Sequence, residues 1–454
     1  MNHPSPQARA TFSPRVSRSM ELYQRAEELI PGGTQLISRR PTRFAYGVSP
    51  AFFTRAKGAR FWDVDGNEYI DWVSGIGAII LGYCDPVVDE AVLRQVHNGV
   101  MTSINHELEL ELAELLIETI PCAEMVRYAK GGGDACAVAV RIARGTTGRD
   151  KILFCGYHGW HDWYLAANLG ADSSLNEHLF SGIEPIGVPR ALEGTAIPFP
   201  YGDADALGET LDANRGEVAA VIMEPLRSAE PPEGYLKRVA DLAQQHGALL
   251  IFDEVSTGFR PSAGGVQPVV GVTPDMAVFA KSISNGYPMG AVVGRRDAME
   301  PASRMFISST YWSDTIGLAA AITTLKEVAA RDVPAYCRDL GKRLKSGIEK
   351  TAAATGVPVS SVGVDYHPHL QFDVADESLK TKLATLYIQE MAKRGCHGYA
   401  SFYLNAAQGD AEVEQTMQAA AEAFALMAEG LDRGNIDELL QCELRQDAFR
   451  RLVR

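Results

Sequence analysis

Nowhere does this chain carry the ~18 consecutive apolar residues that a membrane-spanning helix requires. Its first residues also lack the apolar core of a secretory signal. They hold Pro4, Pro6 and Pro14 with Arg9, Arg15 and Arg18, so residues 1–18 read as a flexible arm. Cysteine is sparse: seven in 454 residues, an odd number without close pairs. That argues against a disulfide framework and for a reduced, cytoplasmic chain. Positive charge is in deficit, with 43 Lys and Arg against 57 Asp and Glu, a net −14. Nucleic acid and anionic membranes are therefore poor candidates for the main partner, although a small anionic ligand in a local pocket is compatible. Internal repeats and low-complexity tracts are absent too. Hydrophobic content of 46% and charged content of 22% fit a globular enzyme with room for one large and one small domain.

The informative stretch runs from Gly247 to Gly290. Ala248-Leu249-Leu250-Ile251-Phe252 is a short apolar run closed by Asp253-Glu254, the pattern of a buried parallel strand. A second run, Met276-Ala277-Val278-Phe279-Ala280, ends at Lys281 and meets a turn-rich segment through Asn285, Gly286 and Pro288. An acid and a lysine thus stand where two strands run out, the place where open α/β sheets bind ligands. That pair suits pyridoxal phosphate, which takes a lysine for its Schiff base and an acid for its pyridinium nitrogen. Either residue alone reads more readily as a strand cap or a solvated side chain.

The surrounding residues add a resemblance. Leu249 to Val255, Thr257-Gly258-Phe259-Arg260, Ala280-Lys281 and Asn285-Gly286-Tyr287-Pro288-Met289-Gly290 resemble the signature of class III pyridoxal-phosphate aminotransferases. Within that group the chain is most similar to the glutamate-1-semialdehyde aminomutase branch, from about Ser19 to about Leu426. The resemblance implies an α/β protein of fold type I. Its central sheet would be mostly parallel with helices on both faces, beside a smaller α+β domain. It also implies that Lys281 carries the Schiff base, that Asp253 pairs the ring nitrogen, and that Val255 packs on one ring face.

Other motifs follow from the same likeness. Gly131-Gly132-Gly133-Asp134-Ala135, ahead of a helical run from Cys136 to Arg144, resembles the family's phosphate loop. Gly131 and Gly133 stand where that loop usually has hydroxyls, so backbone N–H groups would hold the phosphate. The run does not continue into the G-x-G-x-x-G of a dinucleotide site. In Tyr157-His158-Gly159, Tyr157 matches the aromatic that stacks on the cofactor ring. Thr310, in Ser308-Ser309-Thr310-Tyr311-Trp312, matches a threonine that reaches the phosphate of a neighbouring subunit, which implies a homodimer. His158, His161 and Asp162 on one loop make a weak metal set, and no metal is expected. Arg39 matches the substrate-binding arginine of the aminomutase branch, and Trp160 and Trp312 are the other substrate-site candidates.

Along the chain, Met20 to Ile30 is helical and Arg60 to Trp72 is a hairpin turning at Asp65-Gly66-Asn67. Glu107 to Ile120 alternates like a strand, yet its leucines and glutamates favour helix. Apolar runs at 151–155, 218–223, 249–252 and 276–279 alternate with helical stretches, as in a parallel sheet. The expected domains are 19–60 and 331–428 for the small one and 61–330 for the large cofactor-binding one. Residues 429–454 would form an extra amphipathic helix. The expected activity is an aminotransferase moving an amino group between a small-molecule donor and a carbonyl acceptor. The alternatives are an intramolecular aminomutase and, from another class, a cofactor-binding protein without turnover.

Overall fold

The structure is a computed structural model, and it describes residues 12–171, 173–176, 178, 182–226 and 229–446. Most of the expected amino-terminal arm, and the last eight residues of the chain, lie outside the described residues. The chain divides into two compact units.

The second unit, Gly77–Leu81 with Pro86–Ala335, is built on a seven-stranded sheet. Its strands are β1 (Met125–Ala129), β2 (Lys151–Cys155), β3 (Ala196–Pro198), β4 (Val218–Met223), β5 (Leu249–Asp253), β6 (Met276–Phe279) and β7 (Gly290–Gly294). In space they run β1-β7-β6-β5-β4-β2-β3. Six are mutually parallel, and β7 is antiparallel to both of its neighbours. Strands β4, β5 and β6 are buried along their whole length, which is why they read as unbroken apolar runs without alternation. Each fully buried Val or Ile contributes roughly 1.5–3 kcal/mol. The helix Gly132–Thr147 lies on this sheet through Ala135, Cys136, Val138, Ala139, Ile142 and Ala143, in one cluster with Phe154, Ile222, Ile251, Val278 and Val292.

The first unit holds the described residues up to Ile76, Gly82–Asp85 and those from Tyr336 onward. Its four-stranded sheet contains Phe53–Lys57, the hairpin Arg60–Asp63 and Glu68–Asp71, and the short strand Cys396–His397. Asp63 fixes the hairpin turn by accepting the N–H groups of Asp65 and Asn67 at 3.0 and 2.7 Å. A second antiparallel pair joins Val359–Val362 to His369–Phe372, and the helices Glu377–Lys393 and Asp410–Arg433 pack on each other.

Three expectations are corrected. The hairpin belongs with the first unit, because Cys396–His397 pairs with its second strand from the far end of the sequence. The extra carboxy-terminal helix is not there among the described residues. The helix Asp410–Arg433 runs straight past residue 429, stops at Gly434 in a left-handed turn, and only a four-residue turn, Ile436–Leu439, follows. The phosphate-loop helix starts at Gly132 rather than Cys136, with Gly131 as its N-cap. The helices expected at Met20–Ile30 and Glu107–Ile120 are present as Ser17–Leu29 and Leu108–Thr119. No helix among the described residues is long and apolar enough to cross a membrane.

Candidate active site

Four neighbouring parallel strands deliver their side chains to one edge of the sheet. β2 is followed by Gly156, Tyr157 and His158, β4 by Glu224, β5 ends in Asp253, and β6 is followed by Lys281. The register places Cys155 beside Met223, Met223 beside Phe252, and Asp253 beside Val278, so these strands end almost level. The loop before the helix Gly132–Thr147 leaves β1 at the same edge, since Ala129 pairs with the first residue of antiparallel β7. This is the carboxyl edge at which open α/β sheets carry their sites.

Asp253 is buried at 4% exposure. Its Oδ2 accepts from Nδ1 of His158 at 2.7 Å and from the Cys136 thiol at 3.3 Å, and its Oδ1 accepts the Val255 N–H at 3.0 Å. Lys281 adopts φ +51, a left-handed backbone unusual for a residue with a side chain. Its Nζ donates to Ser256 Oγ at 2.7 Å. Burial pushes its pKa below the ordinary lysine value, aided by the Arg260 charge and opposed by Glu224 and Asp253. A lowered value leaves more of the amine neutral and nucleophilic.

The glycines serve a close approach. A Cβ on Gly132 would stand 2.6 Å from Val255, and one on Gly159 would stand 2.6 Å from the Gly133 Cα. The loops after β1 and β2 therefore touch backbone to backbone. His161 Nε2 lies 3.2 Å from Asp134 Oδ1 and ties the two loops further. The Tyr157 N–H donates to Glu224 at 3.2 Å, while the Tyr157 ring remains 44% exposed.

Among the sequence candidates, Gly131, Gly132, Gly133, Tyr157, Asp253, Val255 and Lys281 all lie around this sheet edge. Trp160 is exposed and stacks on His161, whereas Trp312 packs against the sheet core. Thr310 is exposed on the loop ahead of the helix Thr315–Ala330. Arg39 is exposed in the first unit, at the end of a short turn, Ile37–Arg39. His158 does not gather with His161 and Asp162 as a metal set. The metal-capable cluster among the described residues is Cys136, His158 and Asp253, with ligand atoms within 4.8 Å of one another. Sequence reasoning passed over Cys136, Glu224 and Ser256. Cys136 sits one turn into the helix after the glycines, and Glu224 directly ends an apolar run, a signal that was readable.

The sheet and this edge are those of an open α/β protein with its site at the carboxyl ends of the strands, and comparison with known proteins gives the class. Residues 44–363 match the family model Aminotransferase class-III. The chain is 37% identical to the 3-aminobutyryl-CoA aminotransferase of Cloacimonas acidaminovorans, over 90% of this chain and 97% of that one. It is 35% identical to the glutamate-1-semialdehyde 2,1-aminomutase of Syntrophobacter fumaroxidans, over 91% and 98%. Among solved structures it is similar to the FumI protein of Sphingopyxis sp. MTA144 (TM-score 0.82, 26% identity, 91% and 97% covered). An omega-transaminase from Sphaerobacter thermophilus is also similar (TM-score 0.80, 29% identity, 92% and 99% covered). The chain belongs to the class-III aminotransferase family. It is a pyridoxal-phosphate-dependent transaminase, and the residues at the sheet edge fit that cofactor. Asp253 Oδ1 has a lone pair that none of its three hydrogen bonds uses, and Gly131, Gly132 and Gly133 bring no side chain of their own to the helix N-terminus.

Proposed function

We propose that Lys281 is the lysine that holds the cofactor and carries the proton between substrate carbons, with Asp253 as the partner of the ring nitrogen. The observation that carries this is the pair itself: a buried carboxylate and a lysine with a lowered pKa, on adjacent strands of one sheet edge. Pyridoxal phosphate supplies an electron-withdrawing ring that eases loss of a proton beside the substrate amine. Asp253 keeps that ring's nitrogen protonated, because an opposite charge within a few Å favours the charged form. With the cofactor bound, Lys281 would be the group positioned to take and return the proton at the reacting carbon. Val255 and Tyr157 would hold the two ring faces, and the N–H groups at Gly131–Gly133, at a helix N-terminus, would hold the phosphate. Thr310, exposed here, serves the phosphate of a second copy in a homodimer. Arg39 grips an anionic or hydroxyl-rich group of the substrate, with Trp160 and Trp312 shaping the entrance.

The reaction is intermolecular transfer between an amino donor and a keto or aldehyde acceptor. The relatives named for 3-aminobutyryl-CoA and for omega-transamination support donors whose nitrogen is not α to a carboxylate. The aminomutase reading has its own support, in the 35% identity to that branch and the retained Arg39. A half-reaction screen separates them. Purified enzyme mixed with single amines should lose the visible absorbance of its cofactor with one donor and then stall until a carbonyl acceptor is added. Steady turnover of one compound with no acceptor would make the enzyme an aminomutase.

A further inference from the structure

The Asp253 carboxylate is held by more than the charge it is meant to meet. It lies at 4% exposure, beside the buried Glu254, and its hydrogen-bond partners are His158, Cys136 and the Val255 N–H, with no arginine among them. A buried carboxylate needs hydrogen bonds in place of those it would make with water. Three donors supply them. The Val255 N–H takes one lone pair of Oδ1. His158 Nδ1 and the Cys136 thiol converge on Oδ2 and fill both of its lone pairs.

We propose that Cys136 is a positioning residue for Asp253, its thiol fixing Oδ2 together with His158 so that the remaining lone pair of Oδ1 is aimed at the cofactor's ring N–H. The inference rests on the assignment of Asp253 to that nitrogen. Its geometry is closed. Cys136 and His158 are each 1% exposed, and His158 Nε2 has no partner among the described residues, so the network ends there instead of leading to solvent. Phe154, Trp163 and Tyr164 surround the His158 ring and hold it in place. The thiol stays protonated, and so stays a donor, because burial first and the Asp253 charge second push its pKa well above the ordinary cysteine value. Cys136 is borne on the first turns of the helix whose N-terminus carries Gly132 and Gly133. The same rigid element therefore presents the phosphate loop at its start and a donor to the ring-nitrogen acid one turn later. Both ends of the cofactor would be registered by one helix.

The test compares Cys136→Ser, which keeps a donor, with Cys136→Val, which keeps bulk without one. The readouts are the dissociation constant of pyridoxal phosphate and the ¹⁵N chemical shift of ring-labelled cofactor bound to the protein. Cys136→Val should weaken cofactor binding about tenfold, the order expected for one hydrogen bond to a charged group, and move the ¹⁵N signal toward the unprotonated ring. Cys136→Ser should restore both to within about twofold. Equal values for the Ser and Val variants, or a Val variant that matches wild type, would overturn the role of the thiol. Asp253→Asn is measured alongside. If that variant leaves the ¹⁵N shift unchanged, the assignment of Asp253 itself fails. If it moves the shift and Cys136→Val does not, only the inference on Cys136 fails.

Discussion

Glu254 follows Asp253 directly but does different work. Its buried carboxyl accepts the Val266 N–H at 2.6 Å and the Gln267 side-chain amide at 3.0 Å, tying the loop after β5 to a later turn. Burial raises its pKa from 4.5, those two donors pull it back and the Asp253 charge adds a further upward push, which together leave it at about 7. A folded-state value above the unfolded one means the native protein holds this proton more tightly. The stabilisation is thus fully present below about pH 4.5 and is lost as pH rises through about 7. Melting temperatures of Glu254→Gln should accordingly lose that downward slope, while the wild-type protein retains it across the same window. Parallel curves for the two proteins would remove Glu254 as its source.

At the scale of elements, the contact between the loops after β1 and β2 is the tightest demand the site makes on the chain. Gly159 has φ +100 and no room for a Cβ against the Gly133 backbone. Gly148 also has positive φ, +67, yet a Cβ there would meet nothing within 4 Å. Gly148→Ala should therefore cost only the backbone term, roughly 1–2 kcal/mol. Gly159→Ala should cost visibly more in thermal stability and weaken cofactor binding as well, because two loops must part. Equal losses for both variants would show that the close approach is not under strain. The buried strands of this sheet were legible, since fully covered strands need only apolar residues and β4, β5 and β6 supply them without interruption. β7 was not, because its glycine ends, Gly290 and Gly294, look like turn punctuation around just three apolar residues. Asp253 and Lys281 were legible because each polar residue abruptly ends an apolar run. Cys136 and Ser256 were not, because their use depends on which element packs above them.

For the whole molecule, the exposure of Thr310, with Phe306 and Tyr311 of the same loop 84% and 66% exposed, suits a surface that a second copy covers. Co-expressing Thr310→Ala with Lys281→Ala chains tests this. In a composite dimer, one site of each mixed pair carries both lesions and the other carries neither, so the mixed dimer keeps about half of wild-type activity per dimer. If each chain's Thr310 served its own site, every site in the mixed dimer would carry one lesion. Only the Thr310→Ala sites would then turn over, with cofactor binding weakened by roughly 1.5–3 kcal/mol. The way the first unit is stitched together bears on how the chain emerges from the ribosome. Trp72 donates to Thr416, which is made 344 residues later, and the hairpin's second strand waits for Cys396 and His397. Throughout most of translation the nascent amino-terminal segment must leave Ile70 and Trp72 partly uncovered, since Cys396, Phe402 and Thr416, which meet them, are not yet synthesised. A ribosome stalled after residue 335 would hold a chain with every strand of the large sheet and a sticky, unfinished beginning, the form that chaperones would be expected to meet.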